Sequence, residues 1–277
     1  MAFNIADLFE HTVDSVADRE VLIVGDQRRT YGQLEERANR LAHHLAAQGI
    51  APGDHVGIYG SNSVEWLEAA LAAYKVRAVP VNVNFRYVEE ELRYLFDNAD
   101  LKAVVYDREL APRLAAVRDS LPLLRHLIHV DDGTDAAVDD VLASLASVDF
   151  EDAMASGSPE RDFGPRSADD HYVLYTGGTT GMPKGVVWRH EDVFFALGGG
   201  IDAYTNERVA DESPIPILLY NIPKYMHFKL EPELVARLAE HDHIVGMKDS
   251  SGDLIYFQRV LRLLRGREDF GILIGPE

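Results

Sequence analysis

Eight of the ten residues from Thr176 to Gly185 are of types that suit a polyphosphate: four glycines, three threonines and one lysine. Glycines let backbone N–H groups approach phosphate oxygens closely, threonine hydroxyls add donors, and lysine supplies a mobile positive charge. The stretch lies within Tyr172-Val-Leu-Tyr-Thr-Gly-Gly-Thr-Thr-Gly-Met-Pro-Lys-Gly185, after a short β-rich run, and Val186-Val-Trp188 resumes the extended pattern. It is not the P-loop of kinases and GTPases. That motif places glycine directly before its lysine and a helix after it, whereas here Pro183 precedes Lys184 and a strand-like segment follows. A glycine-rich surface turn would use the same residue types, but their density in ten positions points to phosphate binding.

Composition narrows the classes of partner. The 277 residues carry a formal charge of −19, which argues against nucleic acid or an anionic membrane surface as the main partner. An anionic ligand then needs a local positive or dipolar site. There are no cysteines, so disulfides, thiolate metal sites and cysteine nucleophiles are excluded. No apolar run approaches the ~20 residues of a membrane span. Asp7, Glu10 and Asp14 stand where a secretory signal would be basic and then apolar, so a cytoplasmic protein is expected. The histidines, including the adjacent His43 and His44, His126, His129, His241 and His243, lack the spacing of a metal site; ordinary surface or capping roles are expected.

The elements that would position the glycine-rich stretch alternate. Ala6 to Val16 reads as an amphipathic helix and Glu20 to Val24 as a strand. Thr30 and Gln33 form a capping-box pair ahead of a helix whose apolar face is Leu34, Ala38, Leu41, Ala42 and Leu45. A strand at His55 to Tyr59, a helix from Ser63 to Lys75, and strands at Ala78 to Asn82 and Lys102 to Tyr106 continue the pattern. A layered α/β unit with a largely parallel sheet follows from this alternation. The pattern is less clear from Asp107 to Val148, apart from a strand at His126 to Val130. Residues 151 to 170, rich in Ser, Gly, Pro and Asp, read as a flexible loop.

The last quarter alternates again. An apolar strand from Pro214 ends in the polar aromatic Tyr220, and a helix follows at Leu230-Glu-Pro-Glu. The strand Ile244 to Asp249 carries Lys248 near its tip. A helix from Leu254 to Leu264 and a strand from Phe270 to Gly275 complete the run. This is what part of a (β/α)₈ barrel looks like, with reactive groups at the C-terminal ends of strands.

Two resemblances attach to these motifs. Tyr175-Thr-Gly-Gly-Thr-Thr-Gly-Met-Pro-Lys-Gly-Val186 resembles the phosphate-loop signature of adenylate-forming enzymes, the acyl-CoA synthetase, luciferase and peptide-synthetase group. Thr30-Tyr-Gly-Gln-Leu, Gly49-Ile-Ala-Pro-Gly-Asp-His-Val, Asn62-Ser-Val-Glu-Trp and Val79-Pro-Val-Asn-Val-Asn84 resemble its upstream landmarks, in order. Trp188-Arg-His-Glu-Asp192 is similar to fatty-acyl-CoA synthetases in particular.

The likeness spans residues 1 to 205. It implies the adenylate-forming fold and a two-step reaction on a carboxylic (fatty) acid. ATP, Mg²⁺ and CoA would serve as cofactors. Thr176, Gly177, Gly178, Thr179, Thr180, Gly181 and Lys184 would cradle the β- and γ-phosphates. The adenine-binding aromatic-x-Thr-Glu, the ribose-binding Asp and the catalytic lysine of that family are not found after Thr205. The chain is therefore expected not to complete the reaction alone.

From residue 206 to 277, Tyr220-Asn-Ile-Pro and Gly246-Met-Lys-Asp-Ser-Ser-Gly-Asp253 are similar to motifs of the dihydrodipicolinate synthase and N-acetylneuraminate lyase family. These are class I aldolases. The resemblance implies Lys248 as Schiff-base lysine toward a 2-keto acid such as pyruvate, and Tyr220 as proton relay. Only three strands of eight are covered, so a partial (β/α) barrel with open edges is expected, self-associating, packed on the first unit or poorly stable. The tandem arrangement implies a chimeric, truncated or rearranged reading frame, with the join between Gly200 and Pro214. A non-catalytic fragment that binds a full-length partner is the alternative.

Overall fold

The computed structural model describes residues 3–134, 137–178, 181–197, 217–221, 223, 229–241, 244–267 and 269–275. Two compact units result, Met1–Phe194 and Phe195–Glu277.

In the first unit, α1 (Ile5–Val16) leads to a small antiparallel pair, β1 (Glu20–Val24) and β2 (Gln27–Thr30). The Thr30 capping box opens α2 (Tyr31–Ala47) as expected: Gln33 N donates to Thr30 Oγ1 at 3.2 Å, and Thr30 N to Gln33 Oε1 at 2.9 Å. Then follow β3 (His55–Gly60), α3 (Val64–Lys75), β4 (Val79–Asn84), α4 (Glu89–Asn98), β5 (Leu101–Asp107), α5 (Ala111–Arg118), β6 (His126–Val130), α6 (Asp139–Ser144), β7 (Val148–Asp149) and α7 (Phe150–Ala155). The hairpin of β8 (His171–Gly178) and β9 (Gly181–Arg189) closes the sheet, and α8 (His190–Leu197) follows.

Seven strands lie in the order β7-β6-β5-β3-β4-β8-β9, parallel except for β9 on the edge. Helices cover both faces. Leu41, Leu45, Ala69 and Ala73 bury one face with Phe150 and Met154 of α7, while Leu92, Phe96 and Leu114 bury the other. The near-continuous apolar runs of β3 and β5 follow from this double burial. The chain turns toward β4 after β3 and away from it after β5. The C-terminal ends of these two adjacent strands therefore form a topological switch point, the usual place for a ligand crevice in an open α/β sheet.

The segment expected to be a flexible loop is not one. It opens with α7, and residues 157–170 are then tied across α1, α2 and α3. Asn39 Nδ2 donates to Pro159 O, Arg161 pairs with Asp14 and Glu35, and Arg166 reaches Asp7, Glu10 and the Lys75 carbonyl. Asp170 receives a two-pronged Arg77 and the Asn4 amide. Beneath this strap Lys75, 1% exposed, donates to Glu10 at 2.5 Å and Glu35 at 3.2 Å. Burial pushes the Glu10 carboxyl up, but the bonds from Arg166 and Lys75 outweigh it and hold the group below the usual range. Loop-like composition concealed this order because the partners lie more than 90 residues away.

His44, expected to be an ordinary surface or capping residue, is buried against His126, with 2.8 Å between their Nε2 atoms. The Ser156 hydroxyl donates to Ala153 O, so His44 Nδ1–H must donate to Ser156 Oγ. His44 Nε2 is then an acceptor, and His126 Nε2 carries the proton between the rings. Burial lowers both groups, His126 to about 4 with His44 contributing. His126 therefore stays neutral in the folded state down to about pH 4, whereas the unfolded chain takes up protons below the ordinary 6.5. Between these values the unfolded state binds more protons, so stability falls as pH drops from about 6.5 to about 4. The expected loss is roughly 2 kcal/mol. Urea denaturation at pH 7 and pH 4.5 checks this: His126→Phe should flatten the difference, and an equal loss in wild type and variant contradicts it.

The second unit holds β10 (Ile217–Asn221), α9 (Pro232–Leu238), β11 (Ile244–Asp249), α10 (Leu254–Leu263) and β12 (Gly271–Ile274). The three strands pair in parallel in the order β10-β11-β12. Val235, Ala239, Tyr256 and Val260 from the helices pack with Met247 of the central strand. Leu218, Tyr220 and Leu273 are exposed. Residues 198–216, which contain the expected join, and 214–216 of the expected first strand lie outside the described residues.

Candidate functional site

The glycine-rich stretch is the tip of a β-hairpin rather than one long loop. Thr176 stands opposite Lys184, and Gly178 opposite Gly181. Between these pairs β8 advances two residues and β9 advances three, so β9 carries a bulge at Met182–Pro183. Proline fits there because an edge-strand bulge does not demand its missing N–H. Thr179 and Thr180 lie outside the described residues. The structure thus brings Thr176, Gly177, Gly178, Gly181 and Lys184 together at the end of β8. Lys184 is exposed and has no ion-pair partner among the described residues.

Tyr175 anchors the base of the hairpin. Its hydroxyl donates to Asn98 Oδ1 at 2.8 Å, and its ring lies over Gly185, where a Cβ would come within 3.0 Å of the ring carbon Cζ. A cleft of about 300 Å³ opens beside it, at the ends of β3 and β4, lined by Gly60, Asn62, Asn82, Val83, Asn84, Phe85, Tyr87 and Tyr175. Its far wall is fixed by main-chain bonds: Tyr59 Oη donates to Tyr87 O at 2.9 Å, and Arg113 to Phe85 O at 2.9 Å. At the switch point Asp107 is buried and accepts from Ser61 N and Oγ at 2.7 and 3.0 Å. Burial raises its carboxyl despite those bonds. The larger cleft of about 490 Å³ lies elsewhere, against α2 and α7, and its Arg37 and Arg40 are already engaged by Glu68, Glu151 and Glu36.

In the second unit Tyr220 and Lys248 are direct partners in the parallel ladder. Lys248 Nζ lies 4.6 Å from the Tyr220 ring centroid, and the Ser250 hydroxyl stands 3.4 Å from Tyr220 Oη. The bond from Ser250, and then the Lys248 ammonium, favour the phenolate and lower the Tyr220 phenol. Sequence reasoning placed both residues at strand ends. It missed Ser250, Asn98 and the asparagines of the cleft, because nothing local marks a residue that acts only across strands.

Among the described residues no group of three or more His, Asp or Glu side chains is arranged to hold a metal ion. No helix among them is long and apolar enough to cross a membrane.

Known proteins share both the sequence and the fold of this chain. The family model for AMP-binding enzymes matches residues 9–220, and that for the dihydrodipicolinate synthetase family matches 199–277. The chain belongs to the AMP-binding enzyme family. A 3-oxocholest-4-en-26-oate–CoA ligase of Rhodococcus rhodochrous is 47% identical over 264 residues, covering 92% of this chain and 47% of the relative. A medium/long-chain-fatty-acid–CoA/3-oxocholest-4-en-26-oate–CoA ligase of Mycobacterium tuberculosis is 51% identical over 235 residues, covering 82% and 42%.

Among solved structures, the anthranilate CoA ligase AuaEII in complex with anthranoyl-AMP matches with a TM-score of 0.67 at 18% identity. That match covers 98% of this chain and 58% of that one. A Mycobacterium tuberculosis fatty acyl CoA synthetase matches at 0.59 and 24%, covering 99% and 45%. These two likenesses show the fold. The chain spans about half the length of the curated relatives it matches.

Proposed function

We propose that the β8–β9 hairpin is the triphosphate cradle of an ATP-dependent carboxylate-activating enzyme of the acyl-CoA ligase type. One observation carries this: an exposed Lys184, with no ion-pair partner among the described residues, stands opposite Thr176 across a glycine-rich hairpin tip, in a chain about half identical to such ligases. Backbone N–H groups of Gly177, Gly178 and Gly181, the hydroxyls of Thr176, Thr179 and Thr180, and the Lys184 ammonium would bind the β- and γ-phosphates. In the full reaction a carboxylate oxygen bonds to the α-phosphorus and pyrophosphate leaves. The thiol of CoA then takes the acyl group and AMP departs. Charge gathers on the departing pyrophosphate, and preorganised donors at those oxygens stabilise it.

Mg²⁺ would accompany the nucleotide and screen that charge. The acid is a fatty or steroid side-chain acid of the kind the relatives' names give. The reaction belongs to the cytoplasm. This chain binds the triphosphate. Titration of the full chain with MgATP in a calorimeter tests the proposal, and the absence of binding defeats it.

A second reading is favoured by the register that sets Lys248 against Tyr220. Strand tips are where barrel enzymes place reactive groups, and a lysine beside a phenol suits Schiff-base formation with a 2-keto acid such as pyruvate. Here residues 206–277 form a lyase-like domain fused to residues 1–205, a chimera whose outer strands, unpaired among the described residues, suit self-association. Borohydride treatment with pyruvate should add one pyruvate-derived group at Lys248, read by peptide mass; labelling spread over other lysines, or none, contradicts it.

A further inference from the structure

The residues that follow the amine–phenol pair on each strand, Asn221 and Asp249, are buried at 1% and 4% exposure. Successive side chains of a strand point to opposite faces. The row Tyr220–Lys248 therefore faces solvent while the next row, Asn221–Asp249, turns inward.

That inner row is closed by directional bonds. Asn221 Nδ2 donates to Asp249 Oδ1 at 2.8 Å, and Leu230 N donates to Asn221 Oδ1 at 3.1 Å. Asp249 also accepts from Ser251 N at 3.2 Å and Ser251 Oγ at 3.0 Å. Ser250 N donates to Asn221 O, tying the two strand tips together at the same level. The third strand joins through Gly275 N, which donates to Asp249 O. A Cβ at that glycine would fall 2.7 Å from Lys248 Cε and 2.5 Å from Ser250 Oγ, so both side chains would have to shift to admit one.

A parallel pair held only by backbone bonds can slip by a residue, and a one-residue slip turns every side chain to the other face. A buried amide–carboxylate bond resists this because either group left unpaired is costly.

We infer that Asn221 and Asp249 are positioning residues, whose buried hydrogen bond holds Lys248 on Tyr220 and so prebuilds a carbonyl-capturing amine–phenol site. The chemistry rests on the Schiff-base reading of Lys248; the positioning rests on geometry alone. In that chemistry the Lys248 nitrogen bonds to the carbonyl carbon. The phenol gives its proton to the resulting oxygen and regains one from the nitrogen. Water leaves as the C=N bond forms.

The test follows two readouts in the full chain. One is the titration of the Tyr220 phenol by NMR of ζ-carbon-labelled tyrosine, assigned by its loss in Tyr220→Phe. The other is borohydride trapping of pyruvate at Lys248. Asn221→Asp sets carboxylate against carboxylate; it should return Tyr220 to ordinary tyrosine titration and cut trapping by at least about tenfold. Adding Asp249→Asn rebuilds an amide–carboxylate pair of reversed polarity and should restore both readouts.

Asn221→Ala removes the bond without adding charge and serves if the charged variant does not fold; Tyr220 should shift there as well. A folded Asn221→Ala protein with unchanged Tyr220 titration overturns the inference, as does a folded double variant that restores nothing. If Tyr220 follows the exchange while the wild type traps no pyruvate, the positioning stands and the Schiff-base reading fails. If trapping ignores the exchange, the reading stands and the positioning fails.

Discussion

Replacing Lys75 by Met should lower the melting temperature of the first unit by roughly 6–12 °C. The ammonium is fully enclosed between Glu10 and Glu35. Removing one member of a buried ion cluster leaves the opposite charge uncompensated, at a cost of about 3–5 kcal/mol. The lower end applies here because Arg166 still faces Glu10 and Arg161 still faces Glu35. About 3 kcal/mol corresponds to that shift at roughly 2–4 °C per kcal/mol for a unit of this size. The mechanism has a second consequence. Adding Glu35→Gln to Lys75→Met removes one of the two carboxylates that Lys75 faced, leaves Arg161 its pair with Asp14, and should recover part of the loss. Near-UV circular dichroism melts check both, and a shift below about 2 °C for the single variant contradicts the clamp.

Replacing Lys184 by Ala should weaken MgATP binding by roughly 10- to 150-fold. A hydrogen bond to a charged group contributes about 1.5–3 kcal/mol, which converts to that range. The side chain is exposed and makes no ion pair among the described residues. Its loss should move stability by no more than about 0.5 kcal/mol, so weaker binding would not be a folding defect. Lys184→Arg should retain part of the affinity, because a guanidinium keeps the charge while changing its reach.

The two predictions draw on parts of the fold that were unequally legible in the sequence. The helix from Thr30, the strand His126 to Val130 and the parallel order of β3, β4 and β5 follow from local signals: a capping pair, β-rich runs and alternation. The glycine-rich stretch was legible because its residues are contiguous. Its hairpin register was not, since a bulge at Met182–Pro183 depends on how two strands pair.

The strap was misread for a different reason. Ser, Gly, Pro and Asp are loop formers by backbone preference, and order came from arginines meeting carboxylates of two distant helices, α1 and α2. The same holds for His44, whose periodicity says only that it lies on a helix, while its partner His126 is 82 residues away. In the second unit, Tyr220 and Lys248 were found by motif, but the Asn221–Asp249 bond beneath them appears only once the strands are in register.

The claim on which the rest depends is that the hairpin tip grips the terminal phosphates of ATP. Calorimetric titration of the full chain with ATP, inorganic pyrophosphate and AMP, each with Mg²⁺ and each repeated on Lys184→Ala, addresses it most directly. The account predicts that ATP and pyrophosphate bind the wild type, that AMP binds far more weakly, and that the variant loses the first two together. AMP binding as well as ATP, or ATP binding indifferent to Lys184, would contradict it.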